Sequence, residues 1–163
     1  LTGQPKEVFA IMNYAVDDNE RPIFYKKVVE TVVHEFCHSF TKIKGDTEKA
    51  LEKSGKALQE YTYFSMRRQA YSTWRNILEE SLVRAATICY LIDHDYDEKD
   101  IRNAIIEQVD RNFFWMPELV QTLRYYESHR KKYPTFTSFY PEIIRFFDRY
   151  VTNMEKEMKK AMK

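Results

Sequence analysis

The sequence predicts a mostly helical α+β domain with a small sheet on its N-terminal side, and three observations lead there. Only three glycines and five prolines punctuate 163 residues, too few turn-formers for many short strands joined by hairpins. Long stretches carry apolar residues at the spacing of three and four that lines one face of a helix. One early run, EVFAIMNYAV over residues 7–16, is instead apolar on both faces and bounded by Pro5 and the turn-rich DDNERP, the pattern of a strand.

Residues 1–26 are therefore expected to form an edge strand and turn, and residues 27–163 to be helical. Over residues 27–44, Val29, Val32, Val33, Phe36, Phe40 and Ile43 fall at helical spacing and bury that helix, with Gly45 as the stop. Asp46 or Thr47 caps the next helix, which opens on a charged face (Glu48, Lys49, Glu52, Lys53, Lys56), passes the loosening Gly55 and continues through Met66. Residues 71–93 place Trp74, Ile77, Leu78, Leu82, Val83, Ala86 and Tyr90 on a broad stripe, as a largely buried helix requires. The charged break DHDYDEKD precedes a helix over 101–111, and Pro117 opens another over 117–132. After the turn KKYPT, Pro141 suits the first turn of a last helix that turns Ile143, Ile144, Phe147 and Tyr150 inward and frays at its Lys-rich end.

Composition narrows the function. Lys and Arg number 26 against 25 Asp and Glu, a net charge of +1, so the basic footprint of a nucleic-acid binder is missing. With 44% hydrophobic and 31% charged residues the chain has globular proportions, and its length suits one domain over 1–163. The longest mostly apolar run, 85–92, is far below the roughly 20 residues of a membrane span. Cys37 and Cys89 can make at most one bridge, so no disulfide framework is expected. The chain opens on Leu1 without an apolar leader, which suggests a start inside a longer product. Asp93, Asp95 and Asp97 alternate but lack the glycine and terminal glutamate of a calcium loop, so a helix-capping loop is expected there.

One constellation carries chemistry. In VVHEFCHSF, His34 and His38 are four residues apart, about one helical turn or roughly 6 Å, so both can aim a nitrogen at a single ion. Glu35 projects about 100° round the helix from His34, placed to reach a metal-bound water as a base and not as a ligand. Half of the four histidines fall in these five positions. Burying two imidazoles and a carboxylate without partners would cost several kcal/mol, which a metal offsets. Chance placement in a core is the competing explanation. A catalytic zinc needs a third protein ligand and an open position, and Glu79 and Glu80 are both carboxylates embedded in the apolar helix WRNILEESLVRAATICYL. An ion pair of either with Arg84 is the alternative.

HEFCH followed downstream by ESLVRA resembles the gluzincin metallopeptidases, and in particular an uncharacterised, largely Bacteroidetes branch in which ESLVRA and a later YPT turn accompany the zinc motif. The resemblance runs from Val8 to Phe147. It implies a zincin-like fold whose upper sheet lies partly upstream of Leu1, so that this chain is a fragment of the whole domain. It also implies a zinc ion held by His34, His38 and Glu80, Glu35 as general base, and Tyr133 of KKYPTF as transition-state donor, with Tyr140 and His129 behind it. The thermolysin-type pattern has Asn before the ligand Glu and Asp four residues after it, where this chain has Glu79 and Arg84. The groups that orient the ligands must then come from elsewhere.

The activity so implied is hydrolysis of a peptide or protein substrate by a metal-activated water, with Glu35 taking its proton and passing it to the leaving amine. The edge strand would align an extended substrate, and resemblance to exported bacterial proteins implies an extracytoplasmic home. The alternative, from another class, is a catalytically silent helical binding or scaffold module that keeps the metal site.

Overall fold

The computed structural model describes residues 15–162, which form seven helices: α1 (Lys26–Cys37), α2 (Gly45–Tyr61), α3 (Tyr63–Arg68), α4 (Trp74–Asp93), α5 (Glu98–Asp110), α6 (Met116–Ser128) and α7 (Phe136–Ala161). Helix α4 is the axis. Its apolar residues run almost all the way round, and Ile77, Leu78, Leu82, Val83, Ala85 and Ile88 are all buried, as a helix packed on several sides must be. It contacts α1, α2, α5 and α6, while α7 packs on α2 and α6. Thr73 starts α4 by accepting a hydrogen bond from the Asn76 amide at 3.2 Å, satisfying one of the orphan donors of the first turn.

The core between these helices is aromatic. Phe113, Trp115, Phe139 and Phe147 are fully buried, each worth about 1.5–3 kcal/mol of removed apolar surface. The indole N–H of Trp115 donates to Ser81 Oγ at 2.9 Å, and that hydroxyl donates to the Ile77 carbonyl at 2.6 Å, so a buried polar pair is satisfied and the α5–α6 connection is pinned to α4. Gly55, read from sequence as a loosening point, is a contact point: a Cβ there would lie 2.5 Å from Cε3 of Trp74. The missing side chain lets α2 approach α4.

The expected α+β class is corrected. Among the described residues there is no strand, and all the named elements they form are helices. Residues 7–14 of the expected edge strand lie outside the described residues. Its last residue, Val16, makes only an isolated antiparallel bridge with Pro22 across the DDNERP turn, closed by the Ile23 amide donating to the Ala15 carbonyl at 2.9 Å. Val16 and Ile23 are exposed and proline has no N–H to extend a ladder, so this hairpin buries no apolar face on which a sheet could grow. No zincin-like sheet accompanies the motif helix in residues 15–162.

Several boundaries also move. α1 ends at Cys37 and not at Lys44, because Thr41 donates through its hydroxyl to the Cys37 carbonyl (3.1 Å) and Ser39 to that of Phe36 (2.7 Å), so side chains take over the last carbonyls. Nor is α1 buried by its phenylalanines: Phe36 and Phe40 are exposed, and Val28 and Cys37 make the buried face. Gly45 opens α2 at a φ of 60°, with neither Asp46 nor Thr47 capping it. The helix expected to run through Met66 breaks at Thr62, whose hydroxyl donates to the Leu58 carbonyl at 2.7 Å. A capping box between Thr135 and Ser138 starts α7 five residues before Pro141, which is left inside the helix. Its absent N–H strands the carbonyl of Thr137, a residue on the exposed side where water can serve. The Lys-rich end is helical to Ala161. No helix among the described residues is long and apolar enough to cross a membrane.

Candidate metal centre

His34 lies in the last turn of α1 and His38 is its C-cap, still in the right-handed helical region, so the i, i+4 relation survives the early end of the helix. The ring centroids are 5.1 Å apart with an interplanar angle of 82°. α1 packs on α4, and this contact brings Glu80 beneath the two rings. His34 Nε2 is 3.5 Å from Glu80 Oε1, and His38 Nε2 is 3.7 Å from Glu80 Oε2. One ligand atom from each of the three residues lies within 4.8 Å of the others, and together they form a group that could hold a metal ion. The Glu80 side chain is 10% exposed while His34 and His38 are 23% and 33% exposed, so the carboxylate is the floor of the site and the imidazoles are its open rim.

A buried carboxylate needs a cation. Arg84, one turn on, places Nη2 2.8 Å from Glu80 Oε1. The guanidinium is itself held at both terminal nitrogens and on one face: Nη1 donates to Gln108 Oε1 at 2.5 Å, Nη2 donates to the Tyr71 hydroxyl at 3.0 Å, and Cζ lies 5.1 Å from the Phe113 ring centroid. The buried Nε has no partner. Burial pushes the His34 imidazole below its ordinary pKa of 6.5, against the attraction of Glu80 and helped by the charge of Arg84. A neutral imidazole is the form that presents a lone pair to a cation.

Between the two candidate glutamates the fold decides. Successive helix residues point about 100° apart. Glu79 consequently faces the loop after α1, accepting from the Ile43 amide at 2.9 Å and pairing with Lys42 at 3.2 Å, while Glu80 faces the imidazoles. Glu35 is exposed on the solvent side of α1, near enough for its charge to act on His34. Tyr133 sits elsewhere: it is buried between α6 and α7 against Phe139, and its hydroxyl donates to Glu142. Tyr140 donates to the Lys42 carbonyl at 3.1 Å. His129 is exposed and turns Nδ1 to the Tyr125 carbonyl at 2.9 Å. None of the three is drawn into the His34–His38–Glu80 group by these contacts.

Tyr71 and Gln108 belong to the site and escape a reading by motif. Gln108 leaves a trace in the sequence, since it continues the stripe Ile101, Ala104, Ile105 at the position where an apolar residue is due. Tyr71 leaves none, because the loop before α4 reaches Arg84 only through tertiary packing. Beside His34 and Arg84 opens a polar cavity of about 220 Å³, bordered also by Lys27, Glu30 and Gln108. A larger cavity, about 540 Å³, lies on the other face of α1 against Phe36, Phe40 and Tyr126 and does not include the imidazoles. Cys37, Cys89, Asp93, His94, Glu127 and Arg130 add polar groups to its mainly apolar wall, and the His34–His38–Glu80 group touches only the smaller cavity, through His34.

No curated protein and no solved structure matches the chain. A family model described as a domain of unknown function (DUF4932) matches residues 4–146, a span that contains His34, Glu35, His38, Glu80 and Arg84. The chain belongs to the DUF4932 family.

Proposed function

We propose that this domain is a zinc-dependent peptidase whose metal is held by His34, His38 and Glu80. The convergence of two imidazoles from α1 and one carboxylate from α4 carries the reading. Ligand atoms on a tetrahedral zinc, about 2.0–2.1 Å from the ion, are about 3.4 Å apart, and Glu80 Oε2 stands 3.7 Å from His38 Nε2, close to that before any ion draws them together, with Oε1 of the same carboxylate 3.5 Å from His34 Nε2. Two nitrogens and one carboxylate are also the donor set of a site that keeps a fourth position for water.

A bound zinc supplies an electrophile and an acidified water. Glu35 would take the proton in this reading: it follows His34 directly in the chain and is exposed to solvent, and its charge acts on His34. The resemblance to gluzincins supports peptide bonds as the target, and the partly exposed rim of His34 and His38 supports access by a substrate. Tyr133 keeps a catalytic role only if its hydroxyl leaves Glu142. Zinc content by elemental analysis, with a peptide library read by mass spectrometry, tests the proposal. Wild type and Glu35→Gln should both carry one zinc, and only wild type should cleave.

The second reading is a helical module that holds a metal without hydrolysis. The absence of any strand among the described residues favours it, since no edge in residues 15–162 aligns an extended peptide. Zinc in both forms with cleavage in neither would select it.

A further inference from the structure

Glu80 is shared between the proposed metal and an arginine, and the two oxygens are not equivalent. Both face an imidazole, Oε1 that of His34 at 3.5 Å and Oε2 that of His38 at 3.7 Å, but only Oε1 receives a guanidinium, Arg84 Nη2 at 2.8 Å. Arg84 cannot swing away readily: Gln108 and Tyr71 hold its two terminal nitrogens, Phe113 lies under its plane, and its side chain is 14% exposed, so water does not compete for Oε1. Of the two positions where the thermolysin-type pattern has its Asn and Asp, Glu79 is turned to Lys42 and Ile43, and Arg84 is the one that reaches Glu80.

We infer that Arg84 is a positioning residue that reserves Oε1 of Glu80, so that the carboxylate binds its metal through Oε2 alone. This rests on the metal assignment above. One-oxygen coordination leaves a position for water on a four-coordinate ion, whereas a released carboxylate closes on the metal with both oxygens and raises the coordination number. The guanidinium also draws negative charge off the ligand, which leaves the metal a stronger Lewis acid. Gln108 and Tyr71 act one step further out by holding Arg84.

Cobalt(II) alone is the probe, because its visible absorption is intense in four-coordinate sites and several-fold weaker at higher coordination. Wild type is expected to take up one cobalt with an intense band, and Arg84→Met to take up one cobalt with a several-fold weaker band. Arg84→Lys, which keeps a cation beside Oε1, should recover most of the intensity. If the methionine variant does not fold by circular dichroism, Gln108→Leu replaces it, since it removes the acceptor on Nη1 and leaves Glu80 intact; the band should weaken in the same direction. A folded Arg84→Met or Gln108→Leu protein with the wild-type spectrum overturns the role of Arg84 and leaves the metal site standing. Cobalt uptake by wild type no greater than that of a His34→Ala, His38→Ala variant overturns the metal assignment, and this inference with it.

Discussion

Arg84 reaches Glu80 across one turn of α4 with 2.8 Å between Nη2 and Oε1, and both side chains are nearly buried. The carboxylate under the imidazoles therefore has its charge balanced whether or not a metal is bound. Stability and metal affinity depend on the same residue in different ways, and they can be separated by substitution.

Glu80→Gln should lose zinc at least tenfold in affinity and also destabilise the fold. A carboxamide still accepts from Arg84 but leaves the guanidinium charge without its counter-ion. After discounting for that retained hydrogen bond, the cost is about 1–3 kcal/mol. Urea unfolding beside zinc titration measures both quantities.

The paired change His34→Ala, His38→Ala should abolish zinc binding at a cost within about 1 kcal/mol, because neither ring is part of the buried core. Elemental analysis and thermal unfolding of the metal-free protein check this. A loss of several kcal/mol would show the imidazoles to be core groups.

Gly55→Ala should destabilise the protein although alanine favours helix by about 1 kcal/mol. The new Cβ would meet Trp74 at 2.5 Å and Leu78 at 3.2 Å, and forcing α2 off α4 costs about 1–3 kcal/mol net. At about 2–4 °C per kcal/mol for a chain of this size, the melting temperature should fall by several degrees.

Tyr133→Phe should leave zinc affinity unchanged and lower stability by about 1 kcal/mol, the worth of its hydrogen bond to Glu142. A change in peptide cleavage without a change in stability would return Tyr133 to the catalytic site.

Thiol reactivity should follow burial. Burial raises the Cys37 thiol from 9.0 to about 11, and pushes Cys89 up as well. At pH 8, below both the ordinary and the raised value, a two-unit rise leaves about a hundredfold less thiolate on Cys37 in the folded chain. Iodoacetamide should label neither cysteine until urea unfolds the protein, and labelling of Cys37 should then rise with pH through the ordinary range.

Six helices were legible in the sequence, and so were the two imidazoles, because local periodicity and an i, i+4 spacing are properties of one segment; the seventh arises where the second expected helix breaks at Thr62 into α2 and α3. The broad apolar stripe of 71–93 became α4, and Pro117 became the first-turn proline of α6. What misled was also local. EVFAIMNYAV has the composition of a strand, but a strand needs a partner and a buried face, and the described part of that run finds only Pro22. Pro141 looked like a helix start until the capping box at Thr135 claimed it.

The sequence by itself determined that His34 and His38 share a face, that Glu35 does not, and that a carboxylate on the apolar helix needs a cation. Only the tertiary structure decided which carboxylate. The choice of Glu80 over Glu79 depends on the rotation of α4 against α1, and the grip of Arg84, Gln108 and Tyr71 on that choice joins α4, α5 and the loop before α4. Packing of separate segments sets those relations, and no pattern confined to one segment encodes them.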